Sequence, residues 1–154
     1  MTPDADPSPD QTDLGAKTFG MNDQALFAAW SGDRNPMHVD EHAARRLVSG
    51  RPVVHGMHTV LEALSRWAPR AAWLPAGLQV EFLRPINVGE SVHFAARSIP
   101  DAVHLLALVD GQVRSRIELL HAGRLPNTLP PAGLQLPQLA EPLNREPSGW
   151  SQQV

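Results

Sequence analysis

Met57-His-Thr-Val-Leu-Glu-Ala-Leu-Ser-Arg-Trp-Ala68 is the stretch on which the fold turns. Its Met57, Val60, Leu61, Leu64 and Ala68 recur at i, i+3, i+4, i+7 and i+11, which draws one apolar stripe along a helix. Pro69 is the expected stop. Downstream the period falls to two, the mark of strands. Leu78, Val80 and Phe82 alternate with Gln79 and Glu81, and Val92, Phe94 and Ala96 alternate with Ser91, His93 and Arg97. Val103, Leu105, Ala107 and Val109 follow, with Leu106 and Leu108 making that strand apolar on both faces. Val113, Ile117 and Leu119 alternate with Arg114, Arg116 and Glu118. Asn87 to Glu90 and Asp110-Gly111 separate these runs, and Asp-Gly between alternating strands signals a two-residue hairpin. Upstream, Asn22 can cap a helix from Asp23 to Ala29 with Met21 and Leu26 as a staple, and Asp40 can cap another over 41–46. The order is helices first, then an antiparallel meander. A striped helix must bury its stripe on one sheet face, so the expected class is α+β. The strand with two apolar faces implies that the other side is covered too, as a dimer partner would do.

The chain has 154 residues, a length that suits one domain with a sizeable core. A net charge of −3 gives no basic field for nucleic acid or anionic membrane. The absence of cysteine excludes disulfides, thiolate metal sites and a thiol nucleophile, and is compatible with the cytoplasm. No apolar run approaches the roughly 18 residues of a membrane span, and the acidic N-terminus lacks the apolar core of a signal peptide. Residues 1–16, with Pro3, Pro7 and Pro9 among four aspartates, read as a disordered N-terminal segment. Residues 17–123 read as the folded domain. Residues 124–154 read as a Pro-rich tail or linker whose leucines favour partial docking.

Ser31-Gly-Asp-Arg-Asn-Pro-Met-His-Val-Asp40 carries the candidate chemistry. Gly32, Asn35 and Pro36 force irregular backbone after a short helix. A loop can turn Asp33 and His38 toward one point, where a carboxylate and an imidazole sharing one water form an acid/base pair. The competing reading makes Asp33 a turn cap and His38 a surface histidine. Arg51-Pro-Val-Val-His-Gly-Met-His58 then runs into the long helix. Gly56 stands where helix N-terminal amides are unpaired and the dipole is positive, a setting suited to a thioester carbonyl that gains charge. Alternatively, Gly56 only permits a tight turn. His55 is expected to bond loop backbone with its ring. Met57 and His58 fall in the first helical turn, beside the expected substrate.

Phe27-Ala-Ala-Trp-Ser-Gly-Asp-Arg-Asn-Pro-Met-His-Val-Asp40, followed by Arg51-Pro-Val-Val-His-Gly-Met57, resembles the hydratase motif of the MaoC-like, (R)-specific enoyl-CoA hydratase family. The similarity continues through Gly77-Leu-Gln-Val-Glu-Phe-Leu-Arg-Pro-Ile-Asn-Val-Gly-Glu-Ser-Val92 and covers about residues 17 to 121. It implies the hot-dog fold, a curled antiparallel sheet around a central helix, and a homodimer joined sheet edge to sheet edge. It implies Asp33 and His38 as the catalytic pair that adds water to C3 of a trans-2-enoyl thioester, or removes it from a 3-hydroxyacyl thioester. Gly56 would supply the amide for the thioester carbonyl, with His55, Met57, His58 and Asn35 around the substrate; Asn35 and Pro36 shape the loop. The acyl group would ride on CoA or an acyl carrier protein. No cofactor and no metal are implied, since the thioester already acidifies C2 and His38, His42, His55 and His58 lack a compact ligand pattern.

Some relatives place a serine on the central helix near the pocket, and Leu64 falls at that register here, with Ser65 one residue off the stripe. Two other readings stand beside the hydro-lyase. A hot-dog thioesterase would use a helical carboxylate, for which Glu62 is a candidate, and a non-catalytic acyl-binding or assembly domain would need neither Asp33 nor His38. Arg45, Arg46, Arg51, Arg66, Arg70 and Arg84 could meet CoA phosphates or an acidic carrier. Trp67 and Trp73 could line an acyl tunnel, though core packing is expected of them.

Overall fold

A computed structural model describes residues 11–46 and 50–121. It opens on strand β1 (Gln11–Thr18), followed by helices α1 (Met21–Ser31), α2 (Pro36–Val39) and α3 (Glu41–Ala44). The long helix α4 (Gly56–Trp67) comes next, then strands β2 (Gly77–Phe82), β3 (Ser91–Ile99), β4 (Ala102–Val109) and β5 (Gln112–Leu120). The five strands form one sheet in the order β1-β3-β4-β5-β2, antiparallel throughout. Helix α4 packs on one face of it, so the class is α+β as the hydrophobic period requires.

Two expectations are corrected together. Residues 11–16 are not disordered: they belong to β1, an edge strand on β3. With β3 flanked by β1 and β4, strand β2 finds its open edge on β5 at the far side, so the strands are not a simple sequential meander. Only Leu14 of β1 is buried, which leaves the strand without an apolar period to read. Its hold on the domain is largely polar. A bulge at Asp13/Gly15 places Gly15 at φ +86, and Arg66 of α4 donates to the carbonyls of Leu14 (3.0 Å) and Ala16 (3.2 Å) on either side. A Cβ on Gly15 would lie 2.9 Å from that guanidinium, so glycine is needed here for space as well as for conformation. Residues 1–10 and the 124–154 tail lie outside the described residues.

Other boundaries follow local chemistry. Helix α1 begins two residues before the expected start, because Gly20, not Asn22, is its cap, and the Asp23 carboxylate accepts the Gly20 N–H at 2.7 Å. Asp40 caps α3 as expected, accepting from the amides of His42 and Ala43. Pro69 does not stop the chain at once; α4 passes into a single 3-10 turn, Ala68–Arg70, whose tighter pattern tolerates a proline near its start. Asp110 and Gly111 both have positive φ (50° and 73°) and link Val109 to Gln112, the two-residue hairpin their sequence announces.

The buried face of α4 is Thr59, Val60, Ala63 and Trp67. This is rotated from the stripe read off hydropathy: Met57 and Leu61 stand half-exposed. Small Thr59 and Ala63 let the helix approach the sheet, a preference for shape that a hydropathy ranking does not see. Beneath them lies a core built on Phe94, Leu105, Ile117 and Leu119, each almost fully buried. Trp67 belongs to this core and meets Trp73 edge to face at 5.5 Å, with Trp73 stacked on His121.

Candidate active site

The loop after α1 is fixed by its own side chains. Gly32 ends the helix in the left-handed conformation (φ +79), with its N–H on the Ala28 carbonyl at 3.0 Å. Asp33 Oδ1 accepts the Asn35 N–H (3.1 Å), and Asn35 Oδ1 accepts the Met37 N–H (3.1 Å), starting α2 with Pro36 at its first turn. This short helix delivers His38 inward. Its Nδ1 lies 2.6 Å from the carbonyl oxygen of Val53, which requires Nδ1 to carry the hydrogen. In the neutral ring the Nε2 lone pair is therefore free, and it faces Asp33 Oδ2 at 4.0 Å. At that distance the two groups do not bond directly, and one oxygen atom can lie within reach of both. Asp33 is half-exposed and His38 is largely covered.

His55 ties this loop to the long helix. Its backbone N–H donates to Gln24 Oε1 at 3.0 Å, its Nδ1 lies 2.8 Å from the same oxygen, and its Nε2 lies 3.0 Å from the Asp33 carbonyl. The ring stacks on His38 with centroids 4.0 Å apart. Burial pushes the His55 pKa below its ordinary value, opposed by the Asp33 carbonyl and assisted by His38. His55 also occupies the N-cap of α4, where no side chain caps the first amides. Gly56 and Met57 thus open the helix with amides available to a ligand.

Asp33, His38, His55, Gly56 and Met57 line one cavity of about 490 Å³, together with Phe27, Val53, Val54, Thr59, Phe82, Leu83, Arg84, Pro85, Ile86 and Ser115. Two expected neighbours of the substrate are not there. Asn35 is exposed and spends its side chain capping α2. His58 points to the other side of α4, stacked on Phe27 at 4.7 Å and edge-on to Phe19 at 4.9 Å, and borders a separate depression with Leu26, Trp30 and Leu61. Burial pushes its pKa down, with Lys17 adding to the effect. One helical position, a rotation of about 100°, separates His58 from Thr59 and decides which of them meets the cavity.

Other candidates sort in the same way. Of the six arginines, Arg84 alone lines the cavity, its Nη1 donating to Gln112 Oε1 at 3.1 Å. Arg66 is held by Glu62 (2.8 Å) and by β1, and Arg70 by the Arg66 carbonyl. Glu62 bonds Lys17 (3.2 Å) as well; burial raises its pKa, but Arg66 and Lys17 outweigh this and hold it below the ordinary carboxylate value. Leu64 packs against the core, and Ser65 Oγ donates to the Glu62 carbonyl at 2.8 Å, so neither brings a group to the cavity. Thr59 and Ser115 also line the cavity, with their hydroxyl oxygens buried. Trp67 and Trp73 stay in the core.

Ligand atoms of Asp33, His38 and His55 lie within 4.8 Å of one another, close enough to surround an ion. Each His55 nitrogen is aimed at an oxygen of the protein, Gln24 Oε1 or the Asp33 carbonyl, which leaves a carboxylate and one imidazole to face an ion. Those two fall short of the three or four protein ligands, roughly, that a zinc site uses.

A family model described as MaoC like domain matches residues 5–103. The (R)-specific enoyl-CoA hydratase of Aeromonas caviae is 35% identical over 80 residues, half of this chain and 60% of that protein. The 3-hydroxybutyryl-CoA dehydratase of Methylorubrum extorquens is 30% identical over 84 residues, 53% of this chain and 54% of that protein. The chain therefore spans only a little over half the length of these curated relatives. Among solved structures, the (R)-hydratase from A. caviae involved in PHA biosynthesis superposes with a TM-score of 0.60 at 25% identity, over 71% of this chain and 90% of that one. An R-hydratase of Pseudomonas aeruginosa superposes with a TM-score of 0.60 at 21% identity, over 77% and 89%. The fold is the hot-dog fold of these hydratases.

Proposed function

The chain belongs to the family of MaoC-like domains, and on that premise we propose that it is a hydro-lyase adding water reversibly across the C2–C3 double bond of a trans-2-enoyl thioester. The observation that carries this reading is the 4.0 Å separation of His38 Nε2 from Asp33 Oδ2 on the wall of a cavity that Gly56 and Met57, the first residues of α4, also line. The pair holds the water. As its oxygen bonds C3, the pair takes one of its protons and a proton is delivered to C2, so that the elements of water are added and none is left over. Charge that gathers on the thioester oxygen meets the Gly56 amide and the positive end of the α4 dipole. The Val53 carbonyl keeps the His38 ring in the tautomer that leaves Nε2 basic, and His55 holds the Asp33 backbone in place. The scheme calls on no cofactor or metal.

A thioesterase would need its carboxylate on the central helix and in the cavity. Glu62 is ion-paired to Lys17 and Arg66 and does not line it. The acyl carrier in this proposal is CoA or an acyl carrier protein, and the assembly is a homodimer, supported by the half-exposed Leu78 and Phe82 on edge strand β2. The proposed setting is the cytoplasm; among the described residues no helix is long and apolar enough to cross a membrane.

The test is loss of enoyl absorbance from crotonyl-CoA and from a longer enoyl-CoA. Asp33→Ala and His38→Ala should each lower kcat by about 10²-fold or more. Wild-type rates surviving in both variants would sink the assignment.

A further inference from the structure

We propose that Phe27 sets the length of acyl chain this cavity accepts: its ring is the wall that ends the cavity, and the preferred substrates are chains short enough to stop against it. The inference rests on the thioester reading above and names a substrate class for it.

Among the described residues Phe27 alone lines both the cavity and the depression beside α1 and α4. It is 9% exposed. Its ring meets one imidazole from each space. His55, which lines the cavity, lies 4.9 Å away, and His58, which borders the depression, lies 4.7 Å away and nearly parallel. Trp30 adds a third ring contact at 5.8 Å. A ring packed against three others has little room to swing, so the wall is closed. The carrier end of a thioester must stay in solvent, and exposed Leu83 and Arg84 mark where the cavity meets it. The acyl end then points at the covered walls. Two of these, Val54 and Ile86, belong to the hydrophobic core and have packed side chains around them. Phe27 borders open space instead.

That space, about 390 Å³, is apolar where it is open: Leu26 is 72%, Trp30 73% and Leu61 41% exposed. Its two carboxylates are committed elsewhere, Asp23 to the Gly20 N–H and Lys17, Glu62 to Lys17 and Arg66. A cluster of large exposed apolar side chains is a surface that methylenes would cover well. An aliphatic chain that passed the wall would do so. Each methylene that leaves water is worth roughly 4-fold in binding, so a closed wall shows itself as a sharp limit on chain length. Residue 27 is therefore the position at which a smaller side chain converts a short-chain site into a long-chain one.

The experiment compares kcat/KM on crotonyl-CoA and trans-2-dodecenoyl-CoA with the full chain. Wild type should favour the short substrate. The long-to-short ratio should rise about 10-fold or more in Phe27→Ala and in Phe27→Leu, the second of which keeps an apolar core residue should the first fail to fold. Leu61→Lys, a change in the depression, should leave the wild-type ratio unmoved and abolish the gain when combined with Phe27→Leu. A second readout needs no turnover: dodecanoyl-CoA brominated at its last carbon should quench tryptophan emission in Phe27→Leu and not in wild type, and Trp30→Phe should remove that quenching. A wild type that favours the long substrate, a ratio unmoved in Phe27→Leu, or a gain that survives Leu61→Lys would overturn the inference. Quenching of Trp30 in the wild type would do the same. Hydration of crotonyl-CoA with an unmoved ratio would remove this inference and leave the hydro-lyase standing. Quenching confined to Phe27→Leu without hydration of either substrate would keep the wall and remove the hydro-lyase, and absence of both signals would remove both.

Discussion

Replacing Gly56 with alanine separates two reasons for a glycine at the head of α4. A Cβ there would lie 2.7 Å from Phe82 Cε1, 2.8 Å from Cζ and 3.3 Å from Cδ1. Carbon atoms in ordinary contact sit about 3.5–4.0 Å apart, so the ring must withdraw by roughly 1 Å. The ring can do so, because Phe82 is 55% exposed on an edge strand. Alanine suits a helix better than glycine by about 0.5–1 kcal/mol, which offsets part of the crowding. We therefore expect stability to change by less than about 1 kcal/mol, while a misplaced cavity wall lowers kcat/KM by up to about 10²-fold. Alanine keeps its N–H, so the substitution leaves the amide in place and moves only Phe82. The assay is kcat/KM on crotonyl-CoA, with melting temperature, for Gly56→Ala, Phe82→Ala and the double variant. Removing the ring removes the clash, so the double variant should perform like Phe82→Ala alone, a non-additive pair. Losses that multiply in the double variant would refute the reasoning, as would a melting temperature more than about 4 °C lower for Gly56→Ala.

Two further outcomes follow from the charges around α4. Burial holds the folded-state pKa of His58, and of His55, below the ordinary 6.5, so the unfolded chain binds these protons more readily; stability should be fully present above about pH 6.5 and fall as pH drops through the folded values. Melting temperature measured from about pH 7.5 to about pH 5 should decline, and His58→Phe, which keeps the stacking on Phe27 and Phe19, should flatten the curve; an equally steep curve in the variant would refute the assignment to His58. Glu62→Gln should weaken the ties to Lys17 and Arg66 and cost about 1–3 kcal/mol in unfolding experiments, with kcat/KM on crotonyl-CoA within about 2-fold of wild type. A 100-fold loss of activity there, roughly the scale of an acid/base group, would restore a helical carboxylate to the chemistry.

What could be read from the sequence was what acts locally. The loop at 31–38 is set by Gly32, Asn35 and Pro36 within a few residues of the groups they position, so the convergence of Asp33 and His38 is legible without the rest of the chain. The alternation of β3 to β5 and the Asp110-Gly111 turn are local in the same sense. Strand β1 was not legible because it is held by Arg66 and by backbone pairing, with Leu14 its one buried side chain. The phase of α4 was not legible either. Its contact face is chosen by the closeness that Thr59 and Ala63 permit, and that choice moved His58 out of the cavity and Thr59 into it.

His55 explains why the two halves of the motif stand where they do. One ring spans Gln24 on α1 and the Asp33 carbonyl in the loop, stacks on His38, and ends at the first turn of α4. Both of its nitrogens face oxygen acceptors, and a neutral imidazole donates at one end only. Protonation would satisfy both acceptors but would set a buried positive charge against His38; burial opposes it and the Asp33 carboxylate favours it. Burial, the largest of these influences, favours the neutral ring, which donates at one end. The contact of its Nε2 with the Asp33 carbonyl, at 3.0 Å, ties the precision of the Asp33 and His38 pair to a residue that carries no step of the proposed reaction. This makes His55 a positioning residue, and it accounts for a histidine directly before Gly56, where the helix itself requires only a chain that can turn.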